Sequence, residues 1–128
     1  MNLFRIPEPY YNNNIKIAEH FNLSEFACPC CGRVMLDKRI LDYLIEVRQR
    51  FGAPVIVTSG YRCELHNLHI GGREDSKHLV GQAVDITKRL TDDLKKFREA
   101  VIQTSWEHPI EVVYERDHYH IEVQDQNP

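Results

Sequence analysis

The chain predicts one α+β domain built on a small antiparallel sheet, and three observations carry that expectation. A helical period runs through the first half, short β-branched runs recur in the middle, and two β-rich runs separated by three residues close the chain. At 128 residues there is room for one domain. A chain of this size buries about two thirds of its extended surface on folding, so a core forms without crosslinks.

The opening stretch, residues 1–20, is polar. Pro7 and Pro9, Tyr10 and Tyr11, and Asn12 to Asn14 suit an extended arm laid over a domain that spans residues 21–123. Over residues 36–51, Ile40, Leu41, Leu44, Val47 and Phe51 recur near the helical period, while Asp37, Lys38, Asp42, Glu46 and Arg50 supply a wet face. Gly52 and Pro54 end that helix. Residues 54–58, Pro-Val-Ile-Val-Thr, read as a buried strand that Ser59 and Gly60 break. Residues 61–82 show no sustained period and carry Gly71, Gly72 and Gly81; a loop this long in a compact domain is more often functional than idle. A short strand follows over 83–86. Thr91 then suits the cap of a helix over 92–103, with Leu94, Phe97, Val101 and Ile102 facing inward. Ile110–Tyr114 and His118–Val123, joined by Glu115, Arg116 and Asp117, form a hairpin, and residues 124–128 read as a frayed tail.

Sixteen Lys and Arg against nineteen Asp and Glu give a net charge of −3, which lacks the basic footprint of nucleic-acid binding. No apolar run approaches membrane-spanning length, so neither nucleic acid nor membrane is an expected partner. The unusual statistic is seven histidines. Two of them, His118 and His120, stand two apart on one strand and so share a face. Another, His78, precedes by seven positions an aspartate, Asp85, set between Val84 and Ile86. A carboxylate turned inward there must be hydrogen-bonded, paired or metal-bound, whereas strand alternation could equally turn it to solvent. Two histidines and a carboxylate form a known ligand set for catalytic zinc, and His78, Asp85 and His120 complete one. Such chemistry also needs an acid off the metal to take up a proton, for which Asp117 or Glu115 is in reach.

Together, Ser59-Gly60-Tyr61-Arg62, Asn67, Gly71-Gly72, Ser76-x-His78-x-x-Gly81-x-Ala83-x-Asp85 and the late His120-Ile121-Glu122 resemble the zinc D-alanyl-D-alanine carboxypeptidases and related peptidoglycan peptidases of the VanY type. The resemblance covers about residues 21–123. It implies the Hedgehog/DD-peptidase α+β fold, with zinc on His78, Asp85 and His120 and with Asp117, three positions before the last ligand, as the general base. It further implies that Arg62 polarises the scissile carbonyl and that Ser76 helps hold substrate. His118 would stabilise the transition state or position Asp117. An alternative register makes His118 the ligand and Glu115 the base. In a strictly extended strand Asp117 would point away from His118 and His120, so the turn must re-aim it.

Cys28 and Cys31 share a C-x-x-C spacing, and Cys63 and His66 repeat it. A structural zinc site, a disulfide from Cys28, Cys30 or Cys31 to Cys63, and free buried thiols all remain open. Because Cys63 follows Arg62, a crosslink or metal there would steady that arginine. His20, His69 and His108 read as surface or loop residues, and Trp106 as packing.

The expected function is zinc-dependent hydrolysis, by a monomer, of D-amino-acid-containing bonds in peptidoglycan stem peptides. The alternative is an inactive, metal-stabilised binding domain of the same fold, and a third reading is a cysteine-zinc interaction module. No secretory leader is visible at the start, so the expected location is the cytoplasm, or release by lysis as for a phage-encoded enzyme.

Overall fold

The computed structural model describes residues 3–6, 15–88 and 93–125. The order is β1 (Leu3–Ile6), β2 (Lys16–Ala18), β3 (Phe21–Asn22), β4 (Val34–Asp37), α1 (Lys38–Phe51), β5 (Val57–Ser59), α2 (Glu64–His69), β6 (Ala83–Thr87), α3 (Leu94–Ser105), β7 (Ile110–Tyr114) and β8 (His118–Val123). The fold is α+β, as the chain predicts. Its centre is a four-stranded antiparallel sheet in the order β5-β6-β8-β7, and β1-β4 and β2-β3 form two small antiparallel pairs beside it. No helix among the described residues is long and apolar enough to cross a membrane.

The core lies between the sheet and the helices α1 and α3. Ile40, Leu44, Val47 and Phe51 come from α1, Phe97 and Val101 from α3, Val84 and Ile86 from β6, and Tyr119, Ile121 and Val123 from β8. Phe97 is the hinge of this packing: its ring centroid stands 4.8 Å from that of Phe51 and 5.8 Å from that of Tyr119. The Tyr43 hydroxyl, buried with its ring, donates to the Val101 carbonyl at 2.7 Å and so avoids the cost of an unpaired polar group. On β8 the odd residues are buried and the even ones are partly open, so one face serves the core and the other serves a site.

Several expectations shift when the chain folds. The helix expected over 36–51 starts at Lys38, because Val34 to Asp37 pair with β1 as a strand. Asp37 belongs to no wet face. It is fully buried and caps α1, its carboxylate accepting from the Arg39 amide at 2.9 Å and from the Arg39 Nε and Nη2 at 2.9 and 2.7 Å. The strand expected over 54–58 is confined to Val57–Ser59, where β6 offers partners, with an irregularity in the register. The 61–82 segment holds α2 and a 3-10 turn at Lys77–Val80, both too short to leave a period in the sequence. Thr91 and Asp92 fall outside the described residues; the α3 cap is the Asp93 carboxylate, which accepts from the Lys96 amide at 2.9 Å. Leu94, expected inward, is 57% exposed. Ile17 and Ala18 already pack on the core, Gln124 donates its amide to the Pro109 carbonyl, and Asp125 pairs with Lys77. His108 sits edge-on to Tyr43 and 3.5 Å from Glu46, whereas Trp106 is exposed.

Asp37 yields a pH-dependent prediction. Burial works to raise its carboxyl, but the bonds and charge of Arg39, with help from Gln82, hold it below the ordinary aspartate range. A carboxyl lowered on folding stabilises fully above its unfolded value of about 3.9, and that contribution fades as pH falls through the folded value. Asp37→Ala should therefore cost about 2 kcal/mol near neutral pH in chemical denaturation. The gap to the wild type should close below pH 4; a gap that stays constant with acidification would refute this role.

Candidate metal centre

The sheet register builds one row of site residues. Ser59 on β5 pairs with Asp85 on β6, and Asp85 pairs with His120 on β8, so the three side chains emerge on the same face. Val84 and Ile86 take the opposite face into the core. Because β6 is an interior strand covered on both sides, Asp85 is only 7% exposed, despite carrying the charge expected at a surface.

The roof over this row is the Lys77–Val80 turn. Ser76 Oγ caps it by accepting from the His78 amide at 3.2 Å, and Gly81 ends it at φ 72°. A Cβ on Gly81 would stand 2.5 Å from the Met35 carbonyl oxygen, so the turn is wedged against β4 and only glycine fits both the space and the dihedral. His78, at 1% exposure, donates Nδ1–H to the Gly60 carbonyl at 2.7 Å, while its own carbonyl accepts from the Arg62 amide at 3.1 Å. Gly60 is pinned in turn, since a Cβ there would meet the Phe26 carbonyl oxygen at 2.5 Å.

These bonds set the tautomers. With Nδ1 of His78 donating to a carbonyl, Nε2 carries a lone pair; it is buried, has no hydrogen-bond partner and faces Asp85 Oδ1 at 3.4 Å. His120 is the mirror case: Nε2–H donates to Glu122 Oε1 at 2.8 Å, and Nδ1 lies 3.0 Å from Asp85 Oδ1. One donor atom from each of His78, Asp85 and His120 lies within 4.8 Å of the others. A lone pair facing a carboxylate oxygen across 3.4 Å is unfavourable unless a proton or a metal ion lies between them. The donor set of two imidazole nitrogens and one carboxylate oxygen therefore fits a divalent metal, and Gly60 and Glu122 supply the outer bonds that orient such ligands.

Electrostatics report the same proximity. Burial would raise the Asp85 carboxyl, but the His120 and His78 imidazoles at its Oδ1 hold it well below the usual carboxylate range. Burial would lower the His120 imidazole, yet Asp85 and Glu122, one on each ring nitrogen, raise it above its ordinary value.

The other expected residues take definite places. Arg62 reaches Asp85 Oδ2 with Nη2 at 3.3 Å, Ser59 Oγ with Nε at 3.1 Å and Asn67 Oδ1 with Nη1 at 3.4 Å. Its charge thus faces the second oxygen of Asp85. Asp117 lies in the turn before β8, not in the strand, so strand alternation does not aim it; its Oδ1 accepts from His118 Nδ1 at 2.8 Å, and His118 Nε2 stands 3.8 Å from Asp85 Oδ1. Asp117 thus reaches the cluster through the His118 ring. Glu115 is exposed and lies outside the cluster. Cys28, Cys31 and Cys63 form a second group with sulfurs within 4.8 Å of one another, from which the His66 ring is absent.

The sequence assigned no role to three groups that shape this centre. Glu122 was visible as a same-face neighbour of His120. Asn67, buried at 4%, ties Arg62 to the 67–73 loop by donating Nδ2–H to the Arg73 carbonyl at 2.8 Å. The Gly60 carbonyl lies 18 positions from the ring it orients, and no local pattern reports that.

A search of curated proteins finds no matching relative. The family model described as Peptidase M15 matches residues 19–122, a span that contains all but the last residue of the four-stranded sheet, both roof and row of the centre, and the Asp117–His118 pair. The chain belongs to the peptidase M15 family of metallopeptidases.

Proposed function

We propose that the chain is a zinc-dependent hydrolase of D-amino-acid-containing bonds in bacterial peptidoglycan stem peptides, with His78, Asp85 and His120 as the metal ligands. The observation that carries the metal assignment is the buried, unpartnered Nε2 of His78 aimed at Asp85 beside Nδ1 of His120. Zinc held by this set supplies Lewis acidity, acidifying water toward a pKa of about 7 and polarising a carbonyl.

The chain's own groups do the rest. The Asp117 carboxylate, acting through the His118 ring, serves as the base that takes up the attacking water's proton, which returns by the same route to the leaving amine. Its bond to His118 Nδ1 keeps the lone pair of His118 Nε2 directed to the centre, which makes the two residues one proton-holding unit. Arg62 balances Asp85 and provides fixed positive charge where the carbonyl oxygen gains negative charge. Ser76 Oγ accepts from the His78 amide and keeps its own hydroxyl proton for substrate.

The substrate class is supported by the likeness to the VanY-type enzymes.

His78→Ala and His120→Ala should each release the metal of this centre, measured as metal per chain. Asp117→Ala should keep that metal and lower kcat about 10²–10⁴-fold; full turnover in Asp117→Ala would place the base elsewhere. Incubation with purified peptidoglycan and a synthetic stem pentapeptide, read by mass spectrometry, should release free D-alanine or fragments cut within the stem. Bound metal with no new amine would instead favour a binding domain.

A further inference from the structure

The four cysteines lie outside the catalytic chemistry, and their arrangement is specific. Cys28 is fully buried, and its sulfur lies within 4.8 Å of the sulfurs of Cys31 and Cys63, which likewise lie within that distance of each other. Tetrahedral zinc with Zn–S of about 2.3 Å needs sulfurs about 3.8 Å apart, so a contraction of at most about one ångström closes the set. The backbone is shaped for this. Cys28 N–H donates to the Arg33 carbonyl, and the Cys28 carbonyl accepts from Gly32 N–H, both at 2.8 Å; Gly32 sits at φ 75°. That tight reversal brings Cys31 back over Cys28.

Two amides then point at sulfur. Cys63 N–H donates to Cys28 Sγ, and His66 N–H donates to Cys63 Sγ, each at 3.4 Å. These two contacts fix the direction of both sulfurs toward the centre of the group. One disulfide among three mutually close sulfurs would strand the third, whereas one metal ion uses all of them. Cys30 is exposed and lies outside this three-sulfur group.

We propose that Cys28, Cys31 and Cys63 hold a second, structural zinc ion, distinct from the catalytic one. Its three thiolates come from the 28–33 reversal and the start of α2, so the ion staples the 26–33 segment to the 59–63 segment. That second segment contains Gly60, whose carbonyl orients His78, and Arg62, which holds Asp85. The same junction is closed by Tyr61 N–H donating to the Phe26 carbonyl at 2.9 Å. The ion therefore acts as a positioning element for both ends of the catalytic centre.

The test uses the full chain purified under reducing conditions. Wild-type protein should hold two zinc ions per chain, His78→Ala and Cys31→Ser one each, and their combination none. Cobalt(II) loaded into His78→Ala should give the intense near-ultraviolet thiolate-to-cobalt charge-transfer absorption, and Cys63→Ser in that background should abolish it. Three of the four thiols should resist a thiol reagent until a chelator is added. The proposal is overturned by one metal per chain that is lost with His78→Ala and kept with Cys31→Ser, a result that leaves the catalytic assignment standing. It is equally overturned by a cobalt spectrum without charge transfer, or by a metal-free chain lighter by the two hydrogens of a disulfide. The wild-type metal count needs no variant to fold.

Discussion

The structure depends on placing one carboxylate, Asp85, in an interior strand. Its neighbours Val84 and Ile86 are core residues at 1% and 0% exposure, and an uncompensated charge at such depth costs several kcal/mol. Arg62 answers that cost on one oxygen, while the imidazoles of His120, His78 and the more distant His118 crowd the other. Arg62 alone balances the charge, which leaves the imidazoles free to serve as nitrogen donors. The site is thus the solution to a burial problem that a purely structural domain would avoid by placing an apolar residue at that position.

Fold and site are coupled through glycine and register. The pairing Ser59–Asp85–His120 fixes one wall, and a one-residue slip of β8 would exchange His120 for a core residue. The opposing wall is His78, whose height over the sheet is set by close backbone approaches at Gly60 and Gly81. Neither approach leaves room for a methyl group. The hydrophobic packing of Phe97 against Phe51 and Tyr119 lies on the far side of the sheet, so the core can be dense without intruding on the site.

Much of this was legible from residues alone, where the signal was local. The terminal hairpin, the shared face of His118 and His120, and the anomaly of an aspartate between two β-branched residues all follow from period-two alternation. What escaped was non-local or short. Asp37 looked like a wet-face residue because the strand that precedes α1 and the Arg39 and Gln82 side chains that donate to it leave no periodic trace. The six residues of α2 expose Leu65 and Leu68 and have no amphipathic pattern to read. Arg62 was assigned to a carbonyl oxygen on resemblance, whereas its packing against Asp85 and Asn67 emerges only when the 59–67 segment meets β6. Leu94 misled for a simpler reason: it opens its helix, before the apolar stripe begins at Phe97.

The central claim is that Asp85 with His78 and His120 forms a metal site, and anomalous diffraction at the zinc absorption edge on crystals of the full chain tests it most directly. The account predicts a peak bounded by Nε2 of His78, Oδ1 of Asp85 and Nδ1 of His120, with Glu122 still on Nε2 of His120. A peak bounded instead by His118 and Glu115, or no peak at this cluster in zinc-saturated crystals, would contradict it.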